Sequence, residues 1–361
     1  MIETKNNVLD RKTDHRTFTG NNLSILSPEL FNFIENSIGS DDVVNLLCVQ
    51  SNKPFDISPL PEHSSGYALL CRLNNIRRIN KFLEKMNQNM ALGQYILVKL
   101  ETNRTRSSRL LNRYPKIIGY PIYATDFLFN RMIPKLSITK RVYFFLTKGK
   151  SRVLSLSEGL ARLFSCGFEV IDYIKIGDET IILSKKIKEP AYDTTPTYGL
   201  LVKLDRIGQN GEILKVFKIR TMHPYSEYLQ EYLFEQHGTK DGDKIEKDFR
   251  VTNWGRFMRK YWIDEIPMVW NWVKRDLKLI GVRPLSEHKF NTYPEYLQKK
   301  RVRYKPGLIP PYYADLPHSV EDFFEVEEKY LNAYEKNPIR TDLKYLFKAL
   351  YNILIKGERS R

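Results

Sequence analysis

Apolar and polar positions along this chain change their period several times, and each change predicts an element. Between residues 41 and 188, short apolar runs alternate with amphipathic stretches. The runs at 43–49 and 67–71 read as buried strands, being too short for buried helices. Residues 75–90 instead set Ile76, Ile79, Leu83 and Met86 on one helical face, and 93–100 reads as the next strand. Further on, 142–146 predicts a strand, Ser157 caps a helix over 158–164, and 167–171 with 180–183 predict a hairpin-like end. Strands alternating with helices predict α/β architecture.

A polar linker with two prolines, residues 189–197, interrupts the pattern, and the domain boundary is placed there. This divides the chain into a polar arm (1–40, with one helix near Pro28 to Glu35), an α/β domain (41–189) and a second domain (190–361) of α+β character. In the second domain, 200–206 and 213–219 flank Gly208-Gln209-Asn210-Gly211 and predict a hairpin ending in Arg220-Thr221-Met222. A charged region follows at 226–247, with helical spacing over 228–234. The next helix is capped by Thr252 or Asn253, and Pro267 opens the first turn of another over 266–273. Residues 342–356 place Leu343, Leu346, Phe347, Leu350 and Leu354 on one face, with Lys344, Lys348 and Lys356 around it. Such a helix either docks reversibly on an anionic membrane surface or packs on the core of its own domain.

A length of 361 residues suits two domains, each able to bury its own core. No apolar run reaches about 18 residues, and the amino terminus lacks the apolar centre of a signal peptide, so the expectation is a soluble or peripheral protein. The net charge of +16 directs attention to anionic partners. No RNA- or DNA-reading motif accompanies it, so phosphates or an acidic membrane surface are expected and nucleic acid is not. Cys48, Cys71 and Cys166 are few, odd in number and set in apolar runs, which predicts buried free thiols in a reducing cytoplasm and no metal site built on them.

Candidate chemistry concentrates in Arg259-Lys260-Tyr261-Trp262-Ile263-Asp264-Glu265-Ile266-Pro267, followed by Gly281-Val282-Arg283-Pro284. The predicted helix puts Asp264 and Glu265 at its amino terminus, where unpaired amides favour anions. One carboxylate can then face a phosphorus atom while its neighbour binds a cation. Attack by a carboxylate on a diphosphate requires positive charge, supplied by Mg2+ and by Arg259 and Arg283. An acidic pair is also an ordinary helix start, and Lys218 with Arg220, taken alone, reads more readily as an exposed strand end than as a diphosphate clamp.

Taken together, Lys218-x-Arg220-Thr221-Met222, Arg250-x-Thr252-x-x-Gly255-Arg256-x-x-Arg259, Asp264-Glu265-x-Pro267, Asn271, Asp276, Gly281-x-Arg283-Pro284 and Lys305-Pro306-Gly307 resemble the bacterial sugar transferase family, the monotopic phosphoglycosyl transferases. The resemblance spans residues 198–308. It implies a two-step transfer of a sugar 1-phosphate from a nucleoside-diphosphate sugar, usually a uridine one, to a polyprenyl phosphate through a covalent phosphosugar-aspartate. By position, Asp264 matches the nucleophile and Glu265 the magnesium-binding carboxylate. Lys218, Arg220, Arg250, Arg256, Arg259 and Arg283 match substrate-handling positions, Asp276 an acidic position of supporting role, and Asn271 and Pro267 shape the helix. It also implies a place on the cytoplasmic face of the inner membrane. Three departures stand out: Val282 inside Gly-x-Arg-Pro, Leu308-Ile309-Pro310-Pro311 after Pro306-Gly307, and Arg275 where glycine is usual.

Upstream, the family's long apolar segment is replaced by the linker and a domain that resembles the second half of class I methyltransferases, through residues 80–98 and 162–172, which implies an incomplete Rossmann-like α/β domain. That family's first strand ends in a glycine-rich turn, and residues 49–55 contain no glycine, so this domain is expected to be a non-catalytic scaffold. The alternative functions are an adaptor in a membrane glycan-assembly complex and, more remotely, S-adenosylmethionine-dependent methyl transfer.

Overall fold

A computed structural model of the chain describes residues 27–136, 138–193, 199–230, 232–233, 248–317 and 319–358. Most of the expected polar arm, the end of the linker and the charged stretch 234–247 lie outside the described residues. The chain divides into two compact units between Pro196 and Thr197.

In the first unit, α1 (Pro28–Ile38) starts where Pro28 presets the helical φ and Ser27 Oγ accepts from the Leu30 amide. After α2 (Ser40–Val44) come β1 (Leu46–Val49), β2 (Gly66–Arg72), α3 (Ile79–Gln88) and β3 (Tyr95–Leu100). The expected strand at 43–49 therefore begins late: acidic Asp41 and Asp42 start a helical turn that buries Val43 before the chain extends. Next are α4 (Asn103–Arg113), α5 (Lys116–Phe127), α6 (Lys140–Thr147) and α7 (Leu156–Ser165), then β4 (Phe168–Ile176) and β5 (Glu179–Lys186). Residues 142–146 are helical, correcting the expected strand; a short apolar run does not reveal its period, and here only Tyr143 faces inward. Ser155, two positions before the expected Ser157, caps α7 by accepting from the Glu158 amide.

The strands form one sheet in the order β1-β2-β3-β5-β4. The first three are parallel, and β5 runs antiparallel between β3 and β4. On one face, Leu30, Ile34 and Val43 pack over Leu46, Cys48, Ala68, Leu97, Ile181 and Leu183. Cys48 and Cys166 are buried free thiols, whereas Cys71 is only half-buried and donates to the Ser51 carbonyl. Burial pushes Cys71 and Cys166 up to about 12, which keeps both as unreactive thiols at neutral pH.

The second unit opens with the expected hairpin, β6 (Leu201–Ile207) and β7 (Ile213–Ile219), paired without slippage from Leu201↔Ile219 to Ile207↔Ile213. A 3-10 turn at Ser226–Leu229 takes the start of the expected helix over 228–234, and the described residues beyond it, 230 and 232–233, are helical. Then follow α8 (Asn253–Lys260), α9 (Met268–Val273), β8 (Lys278–Ile280), α10 (Glu287–Asn291), α11 (Glu295–Arg301), β9 (Gly307–Ile309), α12 (Tyr312–Asp315), α13 (Val320–Lys336) and α14 (Pro338–Leu354). Ile280, Val282, Leu297, Tyr313, Tyr330 and Tyr345 form its main core. Helix α14 buries Tyr345, Ala349 and Asn352, and Asn352 donates to the carbonyls of Tyr313 and Ala314. Leu346 packs on the core, but Leu343, Phe347, Leu350 and Leu354 remain exposed. The packed face and the expected amphipathic face thus coexist on one helix. Among the described residues, no helix is long and apolar enough to cross a membrane.

Lys278 reaches from β8 to Asp342, 3.1 Å from its Oδ2, beneath the rings of Tyr330 and Tyr334. Burial, against the pull of Asp342, depresses its ammonium to about 8 from 10.5. Between those values the unfolded chain binds the extra proton, so stability rises with pH across this window. Relative to Lys278→Met, the wild-type protein gains stability between pH 8 and 10.5, measured by denaturant unfolding. A flat difference across that window would contradict the assignment.

Candidate active site

The site is built outward from the hairpin. Alternation along β7 places Lys218 on the same side as Val216, which packs with Met268 and Leu277. Arg220 leaves the strand and turns back: its amide and Nε donate to the carbonyls of Leu200 and Gly199, at 2.7 and 2.9 Å. The expected basic pair therefore separates, with Lys218 turned into the site and Arg220 bracing the start of β6. Beyond it, the Thr221 carbonyl accepts from both the amide and the hydroxyl of Thr252, the residue that caps α8. Gly255 lets the helix approach that closely, since a Cβ there would lie 2.1 Å from the Thr221 oxygen. One turn later, Arg259 Nε donates to Thr221 Oγ1 at 2.9 Å.

Asp264 and Glu265 sit in a 3-10 turn (Ile263–Glu265), and α9 begins only at Met268. This corrects the expected placement at a helix amino terminus: the helix dipole fades within one turn, so side-chain cations set the local charge instead. With about three residues per turn, neighbouring side chains still diverge by roughly 120°. Trp262, in the left-handed region at φ 55°, reverses the chain into the turn. Its Nε1 donates to the Tyr313 hydroxyl at 2.7 Å, which pins the reversal to the core.

Glu265 gathers the charge. Its Oε1 accepts from Lys218 Nζ at 2.6 Å and from an Arg283 Nη at 3.0 Å. Arg283 also donates to the Tyr312 hydroxyl at 2.8 Å, and its carbonyl accepts from Arg301 at 2.6 Å. Arg301 is buried, stacks on Tyr293 and is neutralised by buried Glu327. Behind this pair, β8 and β9 run parallel with Gly281 against Gly307, where a Cβ on Gly307 would lie 2.1 Å from the Gly281 nitrogen. The Gly-x-Arg-Pro and Lys-Pro-Gly motifs are therefore two sides of one close backbone crossing that aims Arg283.

Asp264 is only 7% exposed. Burial, reinforced by the charge of Glu265, raises its carboxyl above the ordinary range, while Lys218 and Arg259 pull the other way. Glu265 shifts oppositely, because Arg283 and Lys218 outweigh its burial. Lys218 is lowered by burial and by the repulsion of Arg283, with Glu265 opposing. Arg259 is lowered by burial despite Asp264. Adjacent carboxylates thus acquire different characters: one poorly solvated, the other locked to two cations.

Residues 192–356 match the family model for bacterial sugar transferase. The C-terminal region is a bacterial sugar transferase region. Over 156 residues the chain is 31% identical to the galactosyl transferase CpsE of Streptococcus agalactiae, covering 42% of this chain and 34% of that protein. It is 27% identical over 263 residues to the UDP-galactose-lipid carrier transferase of Erwinia amylovora, covering 71% and 51%. With the undecaprenyl-phosphate galactose phosphotransferase of Salmonella typhimurium it shares 28% identity over 250 residues, covering 66% and 48%. The chain thus spans about half, or less, of the length of these relatives. A match covering 71% of the chain does not fit after residue 192, so the likeness continues into the first unit.

Within the sugar transferase region, Lys218, Arg259, Asp264, Glu265 and Arg283 form one electrostatic cluster. Arg250 and Arg256 do not join it in the same way. Arg250 is buried and held by both oxygens of Asp248, and Arg256 lies exposed on α8. Asp276 accepts from Asn271, which also bonds the Phe217 amide and the Lys215 carbonyl, so the two fasten α9 to β7. Arg275, at the position where glycine is usual, has φ 63°, and there a side chain costs roughly 1 kcal/mol. Sequence reasoning missed Thr221 as a partner of Arg259, and missed Tyr312, Tyr313, Arg301 and Glu327 altogether. The aromatic pair directly follows Pro310-Pro311, where the departure from the family pattern was its only signal. Among the described residues, no group of three or more His, Cys, Asp and Glu gathers.

Proposed function

We propose that this protein transfers a sugar 1-phosphate from a nucleoside-diphosphate sugar, of the uridine class, to a polyprenyl phosphate through a phosphosugar ester of Asp264. The observation carrying this reading is the convergence of Lys218 and Arg283 on Glu265 beside a poorly solvated Asp264. The names of the relatives support the donor and acceptor classes.

In the first step, an Asp264 oxygen attacks the sugar-bearing phosphorus. A new P–O bond forms as the diphosphate bridge breaks, and the nucleoside monophosphate leaves with the bridging oxygen. In the second, an acceptor phosphate oxygen attacks the same phosphorus and returns the electron pair of the Asp264–phosphorus bond to the carboxylate. Desolvation makes Asp264 the better nucleophile of the two acids, since little water must be stripped from it. Lys218, Arg259 and Arg283 are positioned to share their charge with the donor phosphates, lowering the repulsion that opposes anion–anion attack.

Magnesium fits this donor set, because it takes one or two carboxylates and completes its shell with water and substrate phosphates. Glu265, with Asp264 beside it, would hold the ion, which supplies charge neutralisation at the diphosphate. The first unit serves as a scaffold: its sheet order, with one antiparallel strand inserted near the edge, supports the methyltransferase likeness, and no glycine follows β1 before Gly66. The exposed apolar face of α14 supports peripheral contact with the cytoplasmic face of a membrane.

Incubating the protein with a panel of nucleotide sugars and Mg2+, read by intact-protein mass, yields an added phosphosugar with the correct donor. No adduct and no nucleoside monophosphate release with any donor would reject the reading and favour an adaptor role.

A further inference from the structure

From the outer side of the helices between β3 and α7, we infer that the first unit carries its own docking surface for an anionic lipid bilayer. This segment inverts the usual pattern of a packed helix pair. Its inner side is fixed by charge: Arg106 clamps Asp126 at 2.5–2.7 Å, and Arg131 meets buried Glu158 at 2.6 Å. Its outer side is apolar. Along α5 and the first residue beyond it, Ile117, Pro121, Ala124 and Leu128 follow one stripe at i, i+4, i+7 and i+11, and all are exposed. Ile138, Val142, Phe145 and Leu146 form a second stripe leading into and along α6, with Ile138 91% and Phe145 82% exposed.

Basic residues border both stripes. Between Arg113 and Arg152 the chain holds nine Lys and Arg and one acid, Asp126, which already faces Arg106. Arg113, Lys116, Lys140, Arg141, Lys148 and Lys150 are exposed. Charge complementarity selects the occupant. A second copy would bring like charges together, and protein interfaces are poor in lysine, whereas apolar side chains bordered by Lys and Arg suit an anionic leaflet. Helix α5 is ~18 Å long, well short of the ~30 Å hydrocarbon core, so it lies along the interface and does not span it.

The surface stands apart from the proposed chemistry, because donor capture is assayed without lipid. The full chain is centrifuged with vesicles of phosphatidylcholine alone or with added phosphatidylglycerol. Binding is expected to the anionic vesicles and to fall about tenfold in Phe145→Glu/Leu146→Glu and in Lys140→Glu/Arg141→Glu. Melting temperature should not change, since all four side chains are exposed. Phe347→Glu separates any contribution of α14, and hydrogen exchange should show residues 116–147 protected by anionic vesicles. Three results would overturn the inference: no vesicle binding by the wild type, binding unchanged in both first-unit variants, or a dimer in light scattering that Phe145→Glu/Leu146→Glu dissociates without altering vesicle binding.

Discussion

Asp264→Asn is expected to abolish phosphosugar capture and nucleoside monophosphate release while leaving the protein folded. The substitution removes the attacking oxygen's charge and almost nothing else, since amide and carboxylate have nearly the same shape. Because burial raises the Asp264 carboxyl, the folded state resists its ionisation. That penalty is absent below the unfolded-state value of 3.8 and fully present once pH exceeds the folded value. At neutral pH the variant should therefore melt no lower than the wild type. Capture by the wild type should fail on the acid side as pH drops through the raised value, above the range of an ordinary aspartate. An adduct that persists in Asp264→Asn, mapped by mass, would assign the nucleophile elsewhere.

Glu265→Gln should be nearly as damaging for a different reason. It leaves Lys218 and Arg283 facing each other without the negative charge on which both converge. Losing hydrogen bonds from two charged donors costs about 2 kcal/mol of stability, with Arg283 partly relieved by solvent. Misplacing a preorganised charge of this kind lowers turnover by about 10²–10³. Higher Mg2+ should restore only part of the rate, because this carboxylate would hold the ion and also aims the two cations. Full recovery at high Mg2+ would contradict the aiming role, and no recovery at all would contradict the metal role. Equilibrium unfolding and single-turnover release of nucleoside monophosphate measure the two effects separately.

Much of the fold was legible because local rules were strong where they mattered. The β6–β7 hairpin followed from a glycine-bounded turn between two apolar runs, and the start of α8 from Thr252, whose hydroxyl caps the Gly255 amide. The errors fell where a short apolar run has no period of its own. Residues 142–146 have the composition of a strand, yet three of their apolar side chains form the exposed side of α6. Asp264 and Glu265 seemed to open a helix because Pro267 is a common first-turn residue; the left-handed Trp262 and its bond to Tyr313 instead make a separate turn.

Read alone, the sequence determined the hairpin, the alternating α/β order, the basic balance and the set of residues able to carry phosphoryl chemistry, because each depends on residue type and short spacing. Only the tertiary structure decided how those residues are used. It turned Arg220 back onto β6, spent Arg250 on Asp248, and brought Arg283 to Glu265 through the Gly281–Gly307 crossing. The Arg220 and Arg283 pairings join positions 21 and 18 residues apart, and the energies of all three depend on burial and on the direction of side chains, which composition and period do not encode.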